Sequence, residues 1–362
     1  MYVLTLSFLI FVALKVALIH YRLIQFGGLE TRLKNYIRFF HERGDVVHVL
    51  CAKYNPIIEL PKDVKVVQLG AGLLPKPFRQ GRFDARLGRY MKRHRYDFSL
   101  SLGRTSHQQF ILCPGNHLGY LHKMNNKPAS INDLEQIRMD RRGFHHSQII
   151  FAASEMIRNE LISLYHVHPD KVKILYPPLN TTNYTTPTRE EKRSARLALN
   201  WDTNHRFFLF VSTGHERKGL PLLLSIFEKL TDTNNHLIIM GLPEVHSSLP
   251  NVHYAGYQSN PRPYYLAADA LLHPSVYEPY GQIVAESLAS HTPVIISDQV
   301  GASELVNEME GIILPPQSAD KWEETIREFN PHNFAISPTF AFDKKITLSH
   351  HMQKMLEWAN MK

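Results

Sequence analysis

Short apolar runs alternate with amphipathic stretches along the first half of the chain. The run Lys15 to His20 predicts a buried strand, Gly27-Gly28 a turn, Leu29 to Arg43 an amphipathic helix, and Asp45 to Cys51 a second strand. A strand-helix-strand unit of this kind builds a parallel sheet. The same alternation continues through apolar runs at residues 64–69, 98–102, 108–113, 148–152 and 173–176.

A second α/β unit follows a polar break. Pro177-Pro178 and the polar residues through Glu190 predict a linker. Beyond it the pattern predicts a helix from Leu220 to Leu230 and strands at 207–211, 236–240, 252–254, 270–273 and 293–297. We therefore expect an N-terminal lobe over residues 14–178, a linker over 179–190 and a C-terminal lobe over 191–345. The tail, Ile346 to Met361, predicts a final amphipathic helix.

Residues 1–13 form an apolar extension ahead of the first strand. No basic segment precedes it, no small-residue cleavage site follows it, and Lys15 interrupts the apolar run well short of about 18 residues. We therefore expect neither a signal peptide nor a membrane span. Two interpretations of residues 1–13 remain open: they are an additional anchor, or the start of the sequence has been assigned too early.

Composition narrows the class of protein. A length of 362 residues, with 44% hydrophobic and 20% charged residues, fits two folded lobes. Two cysteines support neither a disulfide framework nor a four-thiolate zinc site, so a cytoplasmic, reducing compartment is expected. The 21 histidines show no recognisable metal-ligand spacing.

The formal net charge of +8 indicates an anionic partner. Basic residues concentrate between Arg79 and Arg95, where helical spacing makes a cationic face suited to the anionic inner membrane surface. A simple solvated helix face remains an equal alternative. Nucleic acid is not expected as a partner, because this stretch lacks interleaved aromatics and no nucleic-acid-binding motif is present.

The most informative motif is SVYEPYGQIVAESLASHTPVIIS, from Ser275 to Ser297. It predicts a loop holding Glu278, a glycine at 281 and a helix carrying Glu286. Backbone N–H groups at the start of that helix suit a phosphate. The two carboxylates suit sugar hydroxyls, and eight residues of continuous helix would separate them by about 12 Å.

A second motif, FLFVSTGHERKGLPLLL, follows a predicted strand directly. Gly214 and Gly219 bracket Arg217 and Lys218, which would stabilise the negative charge that grows on a leaving diphosphate. A solvent-facing Arg-Lys pair is the simpler alternative.

Two weaker candidates lie in the first half. Gly27, Gly28 and Glu30 follow the first strand, in a turn that permits close approach of the backbone to a ligand but lacks the full dinucleotide fingerprint. His117, beside Asn116 in CPGNHLGY, could contact a donor sugar or serve as an ordinary structural histidine.

Several common chemistries lack their motifs. No D-x-D carboxylate pair is present, so no metal cofactor is expected, and fixed cations with helix dipoles would neutralise the diphosphate instead. The P-loop of ATPases and the G-x-S-x-G elbow of α/β hydrolases are also absent from the sequence.

Together these segments resemble the GT-B glycosyltransferases of the family 4 type, whose signature is a Glu-x7-Glu element like Glu278 to Glu286. FGGLE, ASEMIRNEL, KVKILYPPLN, GHERKGL and GASELV extend the resemblance from Lys15 to Pro316. Within that family, FGGLE, ILYPPLN and HERKGL are most similar to the lipopolysaccharide core glucosyltransferases. The usual small residue and glycine before T-P-V are replaced here by Ser290 and His291.

The resemblance implies two Rossmann-like lobes facing across a cleft, with the C-terminal helix (346–362) returning to the first lobe, and retaining transfer without a metal. It also implies roles for individual residues. Arg217 and Lys218 would hold the diphosphate, Glu278 the donor sugar and Glu286 the ribose. Tyr280, Gly281 and Gln282 would lie at the β-phosphate, with Gly27, Gly28 and Glu30 beside donor and acceptor.

These expectations converge on a retaining hexosyltransferase at the inner membrane face. The resemblance favours UDP-glucose as the donor and a lipopolysaccharide core or another cell-envelope glycan as the acceptor. One alternative is a catalytically weakened GT-B protein that serves as a binding or scaffolding subunit. A sugar-phosphate epimerase is less well supported, because its acid/base pairs are not evident.

Overall fold

A computed structural model describes residues 13–24, 27–124, 129–231 and 234–360. Apart from residue 13, the apolar extension lies outside the described residues. Within those ranges the strands form two sheets, one of seven strands and one of six, and neighbouring strands pair in parallel. Helices lie between the strands in sequence, so the predicted pair of Rossmann-like lobes is confirmed.

The first sheet has the order β3-β2-β1-β4-β5-β6-β7. Its strands are β1 (Lys15–Leu23), β2 (Val46–Tyr54), β3 (Lys65–Gln68), β4 (Phe98–Ser101), β5 (Phe110–Cys113), β6 (Ile149–Ala152) and β7 (Val172–Ile174). The accompanying helices are α1 (Gly28–Glu42), α2 (Arg79–Met91), α3 (His117–Met124), α4 (Ile131–His146) and α5 (Glu155–Tyr165).

The second sheet has the order β10-β9-β8-β11-β12-β13. Its strands are β8 (Arg206–Ser212), β9 (Asn235–Gly241), β10 (Val252–Gly256), β11 (Ala270–His273), β12 (Val294–Ser297) and β13 (Gly311–Leu314). The remaining helices are α6 (Arg189–Ala198), α7 (Leu220–Glu228), α8 (Arg262–Ala267), α9 (Gln282–Ala289), α10 (Ala319–Glu328), α11 (Phe340–Asp343) and α12 (Leu348–Trp358).

Helices cover both faces of the first sheet. Strand β1 is buried from Val16 to Ile19, because alternate side chains pack against helices on opposite sides. Leu33 of α1 and Met352 of α12 share one core with Val16 and Leu18, whereas Phe83 of α2 packs with Ala17 on the other face. The last helix therefore returns to the first lobe, as expected.

A buried histidine fixes this return of the chain. His351 of α12 lies 2.6 Å from the Tyr36 hydroxyl of α1, and its other ring nitrogen lies 2.8 Å from the carbonyl oxygen of Tyr176. Burial lowers the pKa of His351 to about 3, so the ring is neutral and can both donate and accept. His351 therefore joins α12 to Tyr176, directly before the predicted linker.

The sequence pattern placed some boundaries incorrectly. The predicted linker ran through Glu190, but α6 begins at Arg189, because Thr188 and Glu191 form a reciprocal capping box. The last helix is shorter than predicted and begins after Thr347, whose hydroxyl accepts from the N–H of His350. Strand β13 was not predicted at all.

No helix in the described part of the chain is long and apolar enough to cross a membrane.

Candidate functional site

The two lobes touch where the loop after β11 meets the first lobe. The Ser154 hydroxyl donates to the Pro279 carbonyl at 2.7 Å, and the Tyr277 hydroxyl donates to Glu160 of α5 at 2.9 Å. The Glu304 carboxylate accepts from the N–H of Glu155 at 2.8 Å, at the first turn of α5. These contacts hold the loop that carries Glu278 against the first lobe.

Glu278 lies among three cationic or ionisable side chains. Its Oε2 is 3.2 Å from Nη1 of Arg217, 3.7 Å from Nζ of Lys218 and 3.7 Å from Nε2 of His273. The Glu278 and Lys218 side chains are 15% and 14% exposed, so water screens this cluster poorly. Arg217 also donates to the Tyr277 carbonyl.

The electrostatics of this cluster keep Glu278 ionised. Burial by itself would raise its pKa, but the His273 contact and the charges of Lys218 and Arg217 outweigh it and lower the pKa to about 2. Burial lowers the pKa of Lys218, and the neighbouring Glu278 opposes that effect. One carboxylate thus balances two cations, so the cluster retains positive charge.

Two backbone constraints bring Arg217 and Lys218 to this position. The Val276 N–H and the Ser275 hydroxyl both donate to the Arg217 carbonyl, at 3.0 and 3.1 Å. Gly219 has φ 86°, and a Cβ there would lie 2.3 Å from the Pro274 carbonyl oxygen. Only glycine fits this close crossing of the two loops.

Gly281 precedes α9 with φ 92°, and Gln282 is the first helical residue. Glu278 therefore lies in the loop and Glu286 on the helix, as the sequence predicts, so the separation calculated for a continuous helix does not apply to them. A bend at Gly281 aligns the start of α9 beside the Glu278 loop. The Val284 N–H donates to the Gly281 carbonyl at 2.9 Å, and the N–H groups of the two preceding residues, Gln282 and Ile283, are suitable phosphate ligands.

Glu286 lies one turn further along α9, within the electrostatic reach of Lys218. Its Oε2 accepts from the Tyr265 hydroxyl at 3.0 Å, and Tyr184 forms a further hydrogen bond to it. Burial raises the pKa of Glu286 to about 7, although both tyrosines and Lys218 oppose the shift. The carboxyl therefore titrates near neutrality.

Tyr280 and Gln282 flank Gly281 and contact the surrounding loops. Tyr280 is 5% exposed, and its hydroxyl has no hydrogen-bond partner among the described residues. Gln282 Nε2 approaches the Pro178 carbonyl at 3.4 Å. Both residues thus lie where the linker passes the start of α9.

Gly27, Gly28 and Glu30 lie at the start of α1, after β1. Gly27 is the N-cap, and a Cβ there would lie 2.6 Å from Oε2 of Glu30. A Cβ on Gly28 would meet nothing within 4 Å in the described structure, so its surface is open to a ligand. Glu30 folds back toward His20, with 3.8 Å between Oε1 and Nε2.

His117 is engaged within the first lobe. Its Nε2 lies 2.8 Å from Oδ1 of Asp133, and its backbone N–H donates to Asp140 at 2.9 Å. The structure therefore gives His117 two local partners, whereas it brings Arg217, Lys218, Glu278 and Glu286 together in the second lobe.

Sequence reasoning missed residues whose partners lie far along the chain. His273 is fully buried beside Glu278, and Glu160 joins Tyr277 to Asn116. Burial raises the pKa of the Tyr280 hydroxyl, and the positive charge of Arg32, on α1, opposes that shift. The only sequence signal for Arg32 was its position one helical turn after the glycine pair.

The described residues contain no group of three or more histidine, cysteine, aspartate or glutamate side chains that could hold a metal ion. The cluster around Glu278 offers electrostatic chemistry through the charges of Arg217, Lys218 and Glu278. Two cations beside the N-terminus of α9 can stabilise a negatively charged group, and the carboxylates of Glu278 and Glu286 can accept hydrogen bonds from hydroxyl groups.

Comparisons with known proteins agree with this geometry. Residues 26–183 match the model described as "Glycosyltransferase Family 4", and residues 191–330 match "Glycosyl transferases group 1". The chain is 27% identical to a probable transglycosylase of Burkholderia thailandensis, over 81% of this chain and 80% of the relative. It is 24% identical to a D-inositol 3-phosphate glycosyltransferase of Corynebacterium diphtheriae, over 83% and 81%.

Solved structures share the fold across nearly the whole chain. WaaG, a glycosyltransferase involved in lipopolysaccharide biosynthesis, superposes with a TM-score of 0.73 at 16% identity, covering 96% of this chain and 95% of that one. Anabaena HepE, solved in complex with UDP and glucose, gives a TM-score of 0.70 at 14% identity and covers 95% and 98%. With one family model on each lobe and the Glu278 cluster in the second, the chain belongs to the GT-B glycosyltransferases of the family 4 type.

Proposed function

We propose that this glycosyltransferase transfers a hexose, with retention of configuration, from a UDP-sugar to a cell-envelope glycan. The observation that carries the proposal is the cluster of Arg217, Lys218 and Glu278 beside the start of α9. UDP-glucose is favoured as the donor, because HepE, which shares the fold, was solved with it. A lipopolysaccharide core acceptor is suggested by the likeness to WaaG.

In this proposal the diphosphate binds at Arg217, Lys218 and the N–H groups of the first turn of α9. Negative charge grows on the β-phosphate as the glycosidic bond breaks, and fixed cations stabilise it most in the transition state. Glu278 accepts hydrogen bonds from the hexose hydroxyls and Glu286 from the ribose. No metal is needed, because the two cations supply the neutralising charge.

Retention follows from a front-face reaction. The acceptor hydroxyl attacks from the side of the departing diphosphate, and a phosphate oxygen takes its proton. Glu278 is held among cations by the ion pairs described above, which suits it to hydroxyl binding rather than to nucleophilic attack. Asp133 engages Nε2 of His117, so in this arrangement Nδ1 is the ring nitrogen that would contact the donor sugar.

The acceptor side of the proposal places the enzyme in the cytoplasm, peripherally on the inner membrane face. Helix α2 carries two exposed arginines, Arg82 and Arg89, and the half-buried Arg86, and its cationic face would collect near anionic headgroups. Cosedimentation with phosphatidylglycerol vesicles tests this part independently of catalysis.

A panel of UDP-, GDP- and ADP-sugars, scored for nucleotide diphosphate release with and without chelator, tests the donor and the metal. We expect turnover of UDP-glucose that survives chelation. NMR of the glycoside tests the stereochemistry, and an inverted anomer would refute retention. A protein that binds UDP-glucose but never turns it over would instead be a scaffolding subunit.

A further inference from the structure

A strongly basic cavity of about 400 Å³ lies at the carboxyl edge of the first sheet. The ends of β1 and β2 contribute Tyr21, Arg22 and Lys53. Lys76 lies just before α2, and Arg79 is the first residue of that helix. Ligands of open parallel sheets bind at this edge. The cavity thus lies in the lobe that carries Gly27, Gly28 and Glu30, which the family resemblance places beside donor and acceptor.

Four cations in this cavity lack an acidic partner. Arg22, Lys53, Lys76 and Arg79 form no ion pair within 4 Å to any carboxylate of the described chain. The one carboxylate that lines the cavity, Glu135, is already paired with Arg138 at 2.6 Å. The cavity therefore carries uncompensated positive charge.

Several of these groups are held in place. Arg79 Nε donates to the Leu74 carbonyl at 2.6 Å, and Gln80 Nε2 donates to the Arg104 carbonyl at the same distance. The Tyr21 ring packs edge-on against Phe83, with 5.5 Å between the ring centroids. Neighbouring cations in a cavity repel one another, and a multivalent anion relieves that repulsion.

We propose that this cavity binds a phosphate group carried by the acceptor, so that the acceptor is a phosphorylated sugar or polyol rather than a neutral glycan. This inference rests on the proposed function. Arginine and lysine side chains bind phosphate oxygens through charge-assisted hydrogen bonds. The half-buried Tyr21 ring offers an apolar wall for the carbon skeleton, and the volume suits one sugar phosphate rather than a flat membrane surface.

The test is calorimetric titration at constant ionic strength with glucose 6-phosphate, inorganic phosphate and glucose as probes. The variant Lys53→Glu/Arg79→Glu removes two cavity cations. The control Arg89→Glu/Arg93→Glu makes the same change of net charge at exposed positions on and just after α2, outside the cavity. Lys218→Ala controls for phosphate bound at the donor site.

We expect glucose 6-phosphate to bind the wild type more tightly than glucose does. The cavity variant should lose roughly tenfold or more in affinity, whereas the control pair and Lys218→Ala should retain it. Equal losses in both charge-reversal pairs, or no loss in the cavity pair, would overturn the proposal. Loss of binding only to phosphatidylglycerol vesicles would identify a membrane surface and overturn it as well.

UDP-glucose affinity is measured on the same samples. Failure of the wild type to bind UDP-glucose would contradict the proposed function without deciding the phosphate result. If Lys53→Glu/Arg79→Glu does not fold, Lys53→Gln/Arg79→Gln replaces it, with Arg89→Gln/Arg93→Gln as its control.

Discussion

The carboxyl of Glu286 makes the stability of the second lobe depend on pH in a calculable way. Its pKa is raised from 4.5 to about 7 in the folded protein by burial. Each pH unit of difference corresponds to about 1.4 kcal/mol, so ionised Glu286 lowers the free energy of unfolding by up to about 3 kcal/mol.

The sign follows from proton binding. The folded state holds the proton more tightly than the unfolded state, so the stability contributed by neutral Glu286 is fully present below pH 4.5. It is lost progressively as the pH rises to about 7. Glu286→Gln keeps a neutral acceptor for Tyr265 and Tyr184 and cannot ionise. We expect this variant to exceed the wild type in stability above neutrality and to match it in acid.

Urea unfolding followed by the fluorescence of Trp201 and Trp322, which both lie in the second lobe, measures this difference. A Trp358→Phe background removes the signal of the last helix. The control is Glu308→Gln, an exposed carboxylate, which should show no pH-dependent difference from the wild type. A Glu286→Gln advantage that is the same at about pH 5 and about pH 8 would refute the reasoning.

The remaining predictions concern the ligand, the backbone and the contact between lobes. If ionised Glu286 accepts the ribose hydroxyls, UDP-glucose affinity should rise as the pH increases through about 7, and calorimetry across pH would contradict this by showing a flat profile. Gly219→Ala should cost about 1–3 kcal/mol of unfolding free energy from backbone strain alone, whereas Gly28→Ala, which meets open space, should stabilise by up to about 1 kcal/mol yet reduce turnover. Urea unfolding of both variants measures the stability effects, and transfer rates measure the effect on turnover. Equal changes in stability for Gly219→Ala and Gly28→Ala would contradict the difference in backbone environment that the structure shows. Glu304→Ala removes the carboxylate that caps α5 and should lower the unfolding free energy by about 1–2 kcal/mol relative to Glu308→Ala.

The alternation of apolar runs was sufficient to predict two parallel α/β lobes, because buried strands and amphipathic helices leave local signals. The capping box at Thr188 and Glu191 is also a local signal, and T-R-E-E would have revealed α6. Strand β13 is only four residues long and half-buried, so its pattern was too weak to recognise.

The candidate site was predictable only in part. Arg217, Lys218 and Glu278 stood out because each follows a buried strand at a glycine-containing turn. Their contact joins residues about 60 positions apart, a separation across which local pattern carries no information. The Asp133 partner of His117 was invisible in the sequence for the same reason.

The account depends most on diphosphate binding by the second lobe. Isothermal titration of UDP-glucose into the wild type, Lys218→Ala and the exposed control Lys229→Ala tests it directly. We expect measurable binding to the wild type and to Lys229→Ala, and a loss of at least about tenfold for Lys218→Ala. Equal affinity of Lys218→Ala and Lys229→Ala for UDP-glucose would contradict the account.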